Sequence, residues 1–115
     1  MKVYYLSTCS TCQRIMSTLS LGEFDKQDIK NEAITPQQLD TMKELAGSYQ
    51  ALFSRKAMKY RSLGLHNLEL SEEDYRRWIL KEYTFLKRPV FIVGDEIFIG
   101  NSQKVVEALT ARINR

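Results

Sequence analysis

Histidine, cysteine and proline are all scarce in this chain, with one His, two Cys and two Pro among 115 residues. A lone histidine, His66, leaves a zinc site short of the roughly four ligands it takes, and it suggests no Cys–His protease arrangement. It reads as a structural or solvated residue in a connecting segment. Two cysteines are too few for a disulfide scaffold, and Cys9 and Cys12 lie too close together to tie distant segments. No apolar run approaches the ~18 residues of a membrane-spanning helix, so no membrane association is expected. Repeats and low-complexity tracts are absent. The start, Met1-Lys2-Val3-Tyr4-Tyr5, enters an apolar β-like segment without a signal-peptide pattern. A cytoplasmic, reducing setting is therefore expected. Hydrophobic content of 43% and charged content of 27% suit one ordinary folded domain with its own core. A net charge of +3 permits anion binding without marking a nucleic-acid surface.

The two cysteines frame what is informative. The stretch Leu6-Ser7-Thr8-Cys9-Ser10-Thr11-Cys12-Gln13-Arg14 follows the apolar run Val3-Tyr4-Tyr5-Leu6 and precedes a helical pattern. A Cys-x-x-Cys at such a junction sets the first sulfur over a helix N-terminus, where unpaired N–H groups and the dipole favour a thiolate. Cys12, one turn on, is close enough to close a disulfide with Cys9. Ser10 and Thr11 keep the loop small and polar, so that its N–H groups can cradle an anion. Arg14, in the helix that follows, is within reach of the thiolate. Arg88 precedes Pro89, which pushes it to an extended conformation directly before a buried strand, aimed at the same sheet end as the cysteines.

Elsewhere, residues 2–6 and 24–29 read as strands, the second polar enough to lie near an edge. Residues 11–21 read as a helix with Ile15, Met16 and Leu19 on one face. Thr35-Pro36-Gln37-Gln38 is a capped helix start, and Leu39, Met42, Leu45 and Ala46 continue it to Gly47. Residues 49–61 read as a further helical piece through Leu52, Phe53, Ala57 and Met58. Ser71-Glu72-Glu73-Asp74 opens another helix, with Tyr75, Trp78, Ile79 and Leu80 as its apolar face. Val90–Val93 and Glu96–Ile99 flank Gly94-Asp95 and predict a hairpin. Asn101-Ser102 can cap a last helix carrying Val105, Val106, Leu109 and Ile113. The order β-α-β, helical block, β-β-α predicts an α/β chain with a mixed sheet of about four strands. That is the thioredoxin-like arrangement, here a single domain over 1–115 with a helical insertion at about 35–87.

From Tyr4 to about Leu109 the chain resembles the arsenate reductase (ArsC/Spx) family. The anchors are Cys9-Ser10-Thr11-Cys12, Gly47 eight residues before Arg55, Leu52-Phe53-Ser54-Arg55-Lys56, Leu86-Lys87-Arg88-Pro89-Val90, and Ile99-Gly100-Asn101-Ser102-Gln103-Lys104-Val105-Val106. The resemblance implies that Cys9 is the nucleophile, that Arg55 and Arg88 grip an oxyanion, and that Pro89 is the active-site cis-proline. The chain departs from the pattern of the true arsenate reductases twice: their third oxyanion arginine falls near Asn101, and a basic residue expected after the motif falls at Gln13. Cys12 is shared with the Spx-type regulators and some thiol reductases.

Two readings follow. In the first, the protein is a thiol–disulfide oxidoreductase that uses Cys9 as nucleophile and Cys12 as resolving thiol on arsenate or another small oxyanion or disulfide. It binds no cofactor and draws electrons from an external thiol, either thioredoxin or glutathione with glutaredoxin. In the second, it is a Spx-like redox-sensing regulator whose Cys9–Cys12 disulfide alters binding to the RNA polymerase alpha subunit. The basic cluster Arg55, Lys56, Lys59, Tyr60 and Arg61, with one aromatic interleaved, is expected to be a solvated helix face more than a nucleic-acid patch, so direct DNA binding is not expected. A monomer is the default for this size.

Overall fold

The computed structural model describes residues 1–19 and 21–114. Two compact units divide the chain: one of residues 1–32 and 88–115, the other of residues 33–87.

The first unit is built on a four-stranded mixed sheet ordered β2-β1-β3-β4. Strand β1 (Lys2–Tyr5) pairs in parallel with β2 (Asp25–Asp28) and antiparallel with β3 (Val90–Val93), and β3 turns back into β4 (Glu96–Ile99). The polar strand β2 lies at an edge, as its composition suggests. Parallel strands need a crossover, and helix α1 (Ser10–Ser17) supplies it. Gly94 takes φ 63°, the positive value that the first position of a two-residue hairpin turn of the II′ kind requires. Val3, Phe91 and Val93 project from the sheet into a core with Ile15, Leu21, Phe24 and Leu109. Val3 sits opposite Phe91, and Phe24 meets the Phe91 ring edge-on at 5.8 Å. Leu109 comes from helix α5 (Gln103–Ile113), capped by Ser102, whose hydroxyl accepts from the Val105 N–H at 3.2 Å. Helix α1 begins at Ser10 and ends at Ser17, shorter than the span 11–21 expected from periodicity; Ser20, in that span, lies outside the described residues. The Thr18 hydroxyl folds back onto the Ile15 carbonyl and the Thr18 N–H bonds the same group, which closes the last turn early.

The second unit is helical. Helix α2 (Pro36–Ala46) starts in the expected capping box of Thr35 and Gln38 and stops at Gly47, which takes φ 97°. Helix α4 (Glu72–Lys81) has a second box, Ser71 with Asp74. Residues 49–61 are not the continuous helical piece that their spacing predicts. A single 3-10 turn, Gln50–Leu52, gives way at an extended Phe53, and helix α3 covers only Met58–Ser62. The reason is long-range pairing. Phe53 bridges Leu86, Ser54 N–H donates to Phe85 O at 2.7 Å, and Lys87 N–H donates to Leu52 O at 2.8 Å. The Phe53 ring stacks on Phe85 at 4.9 Å and leans on Tyr75 at 4.9 Å. The Glu72 carboxylate receives the Tyr49 and Gln50 amides at 2.7 and 3.1 Å, which anchors the 3-10 turn to α4.

Candidate functional site

Strand β1 ends at Tyr5, and the chain turns tightly through Leu6, Ser7, Thr8 and Cys9, closed by the Cys9 N–H on the Leu6 carbonyl at 3.0 Å. Cys9 is the N-cap of α1, extended at φ −92° and ψ 110°. Its carbonyl accepts the first helical bond, from the Gln13 N–H at 3.1 Å. Ser10, Thr11 and Cys12 fill the first turn, so their amides are among those that a helix leaves without internal partners. Ser10 is exposed, Thr11 and Cys9 are half-buried, and Cys12 is fully buried. Both cysteines are free thiols.

Their surroundings push them in opposite directions. Burial disfavours the Cys9 thiolate, but this is outweighed by the Cys12 amide and thiol, the positive charge of Arg88 and the Thr11 amide. Its acidity ends stronger than that of an ordinary cysteine. The neutral Cys9 side chain makes no cap hydrogen bond; the amides matter once a charge is there to attract them. Burial dominates at Cys12 and, reinforced by the neighbouring Cys9, pushes its thiol up to about 11, although the Leu6 backbone and Arg88 act the other way. One sulfur is thus prepared to be a thiolate and its neighbour is kept protonated. Two adjacent thiolates would repel each other, so stabilising the first charge disfavours the second.

The sequence-selected residues fall into two groups. Cys9, Ser10, Thr11, Cys12, Arg14, Arg88 and Pro89 all belong to the first unit. Arg88 is half-buried and its charge reaches both sulfurs, and the Arg88–Pro89 peptide is cis. Arg14 lies on the exposed surface of α1. Arg55 belongs to the second unit, where its guanidinium donates to the Tyr75 hydroxyl at 3.4 Å. Asn101 is exposed, just before the Ser102 cap. His66 is exposed, its ring 6.2 Å from that of Tyr60. Among the described residues no three of His, Cys, Asp or Glu are grouped to hold a metal ion, and no helix is long and apolar enough to cross a membrane. A cavity of about 400 Å³ runs along α1, lined by Tyr5, Gln13, Met16, Leu19 and Lys26 among others.

Two side chains at the site escape motif reading. Gln13 donates from Nε2 to the Ser7 carbonyl at 2.9 Å, and Asp28, at the end of β2, accepts the Ser7 N–H at 3.2 Å. An Asp at a strand end that also bonds the N–H two residues on, here Lys30 at 3.2 Å, is a local turn signal. Its reach to Ser7 depends on the pairing of β1 with β2.

The model of the ArsC family matches residues 4–109. Among curated proteins, none matches the chain. Solved structures are similar over nearly the whole length. One, a protein from Staphylococcus aureus, shares 25% identity at a TM-score of 0.73, over 93% of this chain and 95% of its own. Another, from Bacteroides fragilis, shares 23% at 0.74, over 95% and 99%. An arsenate reductase from Vibrio cholerae shares 18% at 0.71, over 95% and 96%. The α/β fold is thioredoxin-like, as the order of elements predicts.

Proposed function

The chain belongs to the ArsC family, and we propose that it is a thiol–disulfide oxidoreductase acting on arsenate or another small oxyanion, or on a small disulfide. What carries this reading is the opposed chemistry of two adjacent sulfurs: Cys9 favoured as thiolate at a helix start, Cys12 buried and pushed up to about 11.

On a disulfide, the Cys9 thiolate attacks one sulfur, forms a mixed disulfide and expels the other half as a thiolate. That departing base takes the proton that Cys12 must lose. The Cys12 sulfur then attacks Cys9 Sγ, and the remaining half leaves with the electron pair of the broken bond. The substrate gains two electrons and the protein holds a Cys9–Cys12 disulfide. On arsenate, Cys9 displaces a hydroxyl group to give a sulfur–arsenic bond, and the departing hydroxide takes the proton that Cys12 must lose and leaves as water. Attack by Cys12 on Cys9 Sγ leaves that bond's electrons on arsenic and releases arsenite. An external thiol, from thioredoxin or from glutathione with glutaredoxin, restores the dithiol in either case.

The helix-start amides of Ser10 and Thr11 and the Arg88 charge suit an anionic substrate or leaving thiolate. Arg14 is the remaining cation on α1. The part of Arg55 in oxyanion binding rests on the family resemblance. The test is NADPH oxidation dependent on arsenate, and separately on a small disulfide, coupled through thioredoxin or through glutathione with glutaredoxin. Turnover that vanishes in Cys9→Ser supports the reading. Its absence with every substrate and coupling, from protein whose disulfide still forms and reduces, overturns it.

One observation favours a second reading, a Spx-like redox regulator of RNA polymerase: Asn101 is an exposed, uncharged residue where the resemblance puts an oxyanion arginine. Retention of the polymerase alpha subunit by only one redox form of the protein would support it.

A further inference from the structure

Ser7, two residues before the nucleophile, is exposed, so water could satisfy both of its backbone polar groups. Instead, each is taken by a side chain from a different element. The Asp28 carboxylate accepts the Ser7 N–H from the end of β2, and the Gln13 amide donates to the Ser7 carbonyl from α1. Asp28 is itself held: Oδ1 also accepts the Lys30 N–H at 3.2 Å, and Oδ2 accepts Asn31 Nδ2 at 2.8 Å. Burial works against its charge, but the Ser7 hydroxyl and amide, with the Lys30 and Asn31 donors, hold its carboxyl below the usual range. Gln13 grips both flanks of the nucleophile, with its backbone N–H on the Cys9 carbonyl and its side chain on Ser7. Ser7 is the first central residue of the Leu6–Cys9 turn. Fixing its two peptide planes fixes how the chain enters the N-cap, and so where Cys9 Sγ points relative to the α1 amides. The orientation of a reactive group within a fraction of an ångström is what supporting side chains of this kind determine.

We propose that Gln13 and Asp28 are positioning residues that brace Ser7 from two sides and thereby hold the Cys9 sulfur over the start of α1. The proposal rests on the thiol reading above and deepens it. Position 13, where the resemblance expects a base, carries an amide that stabilises the loop's backbone.

The test uses the full chain, reduced, with Gln13→Met and Asp28→Asn. Methionine keeps the length and helix preference of glutamine but cannot donate. The rate at which iodoacetamide alkylates Cys9, followed on the Cys9 peptide as a function of pH, reports the thiolate without any substrate. In Gln13→Met the midpoint is expected to rise by about half to one pH unit, slowing alkylation at neutral pH by about three- to tenfold, with the melting temperature unchanged. Asp28→Asn weakens the charge-assisted bond to Ser7 and removes a negative charge whose loss alone would lower the midpoint, so a net rise there reports the loosened brace. If Asp28→Asn fails to fold, Gln13→Met decides. A parent midpoint below that of a free cysteine, shared unchanged by the variants, overturns the brace and leaves the thiol reading standing. A parent that titrates like a free cysteine overturns both.

Discussion

Cys9 and Cys12 have the same side chain three positions apart, and their different roles come from where each sits. Cys9 occupies a half-open N-cap beside Arg88, and Cys12 is sealed beneath the first helical turn. Replacing Cys12 by serine should leave the first attack intact and stop resolution. Mass spectrometry of Cys12→Ser after exposure to oxidised glutathione should therefore show a stable adduct on Cys9, whereas Cys9→Ser should show none. Arg88→Gln removes a charge that favours the thiolate at both sulfurs. The alkylation midpoint of Cys9 should rise, and the increase should shrink at high salt, because screening weakens the attraction that was lost.

At the scale of elements, the segment from Tyr49 to Ser62 decides the shape of the second unit. A continuous helix there would take Phe53 away from Phe85 and Tyr75 and break the bridge to Leu86. Phe53→Ala should cost about 3–5 kcal/mol of stability in denaturant unfolding, the usual range for a large buried ring. The helix ends are governed more locally. A side chain built at Gly47 would meet nothing within 4 Å, so the constraint there is the backbone's φ of 97° and not crowding. Gly47→Ala should lower stability by about 1–2 kcal/mol, the cost of a left-handed conformation for a residue with a Cβ. Ser71→Ala removes the acceptor for the Asp74 amide and should cost about 1 kcal/mol.

For the whole molecule, the two thiols give the stability of the reduced protein an opposed pH dependence. Cys9 is more acidic folded than unfolded, so its contribution is complete above the ordinary thiol pKa and is lost as pH falls through the folded value. Cys12 is less acidic folded, so its contribution is complete below the ordinary pKa and is lost as pH rises toward about 11. Denaturant unfolding of the reduced protein should show stability climbing toward mildly alkaline pH and falling beyond it. In Cys9→Ser the climb should weaken, and the fall assigned to Cys12 should become shallower because the neighbouring sulfur that helps raise it is gone.

The sequence by itself determined what depends on neighbours a few residues apart. The Cys-x-x-Cys behind an apolar strand, the Thr35 and Ser102 helix caps and the Gly94-Asp95 hairpin each draw on bonds spanning two to four residues, so residue type and spacing settle them. The mixed sheet of about four strands followed because parallel strands need a crossover and the hairpin is antiparallel; its order came from the tertiary structure. Only the tertiary structure decided the rest. Leu52, Phe53, Ala57 and Met58 recur at helical spacing, yet Phe53 is extended because its partner, Leu86, is 33 positions away along the chain. Gln13 looked like a missing base until the Ser7 carbonyl appeared opposite its amide. Asp28 reaches Ser7 across 21 positions through the pairing of β1 with β2. The difference between the two thiols is likewise tertiary, because burial beneath the helix and the charge of an arginine from the far end of the chain set it, and neither is written in the spacing of Cys9 and Cys12.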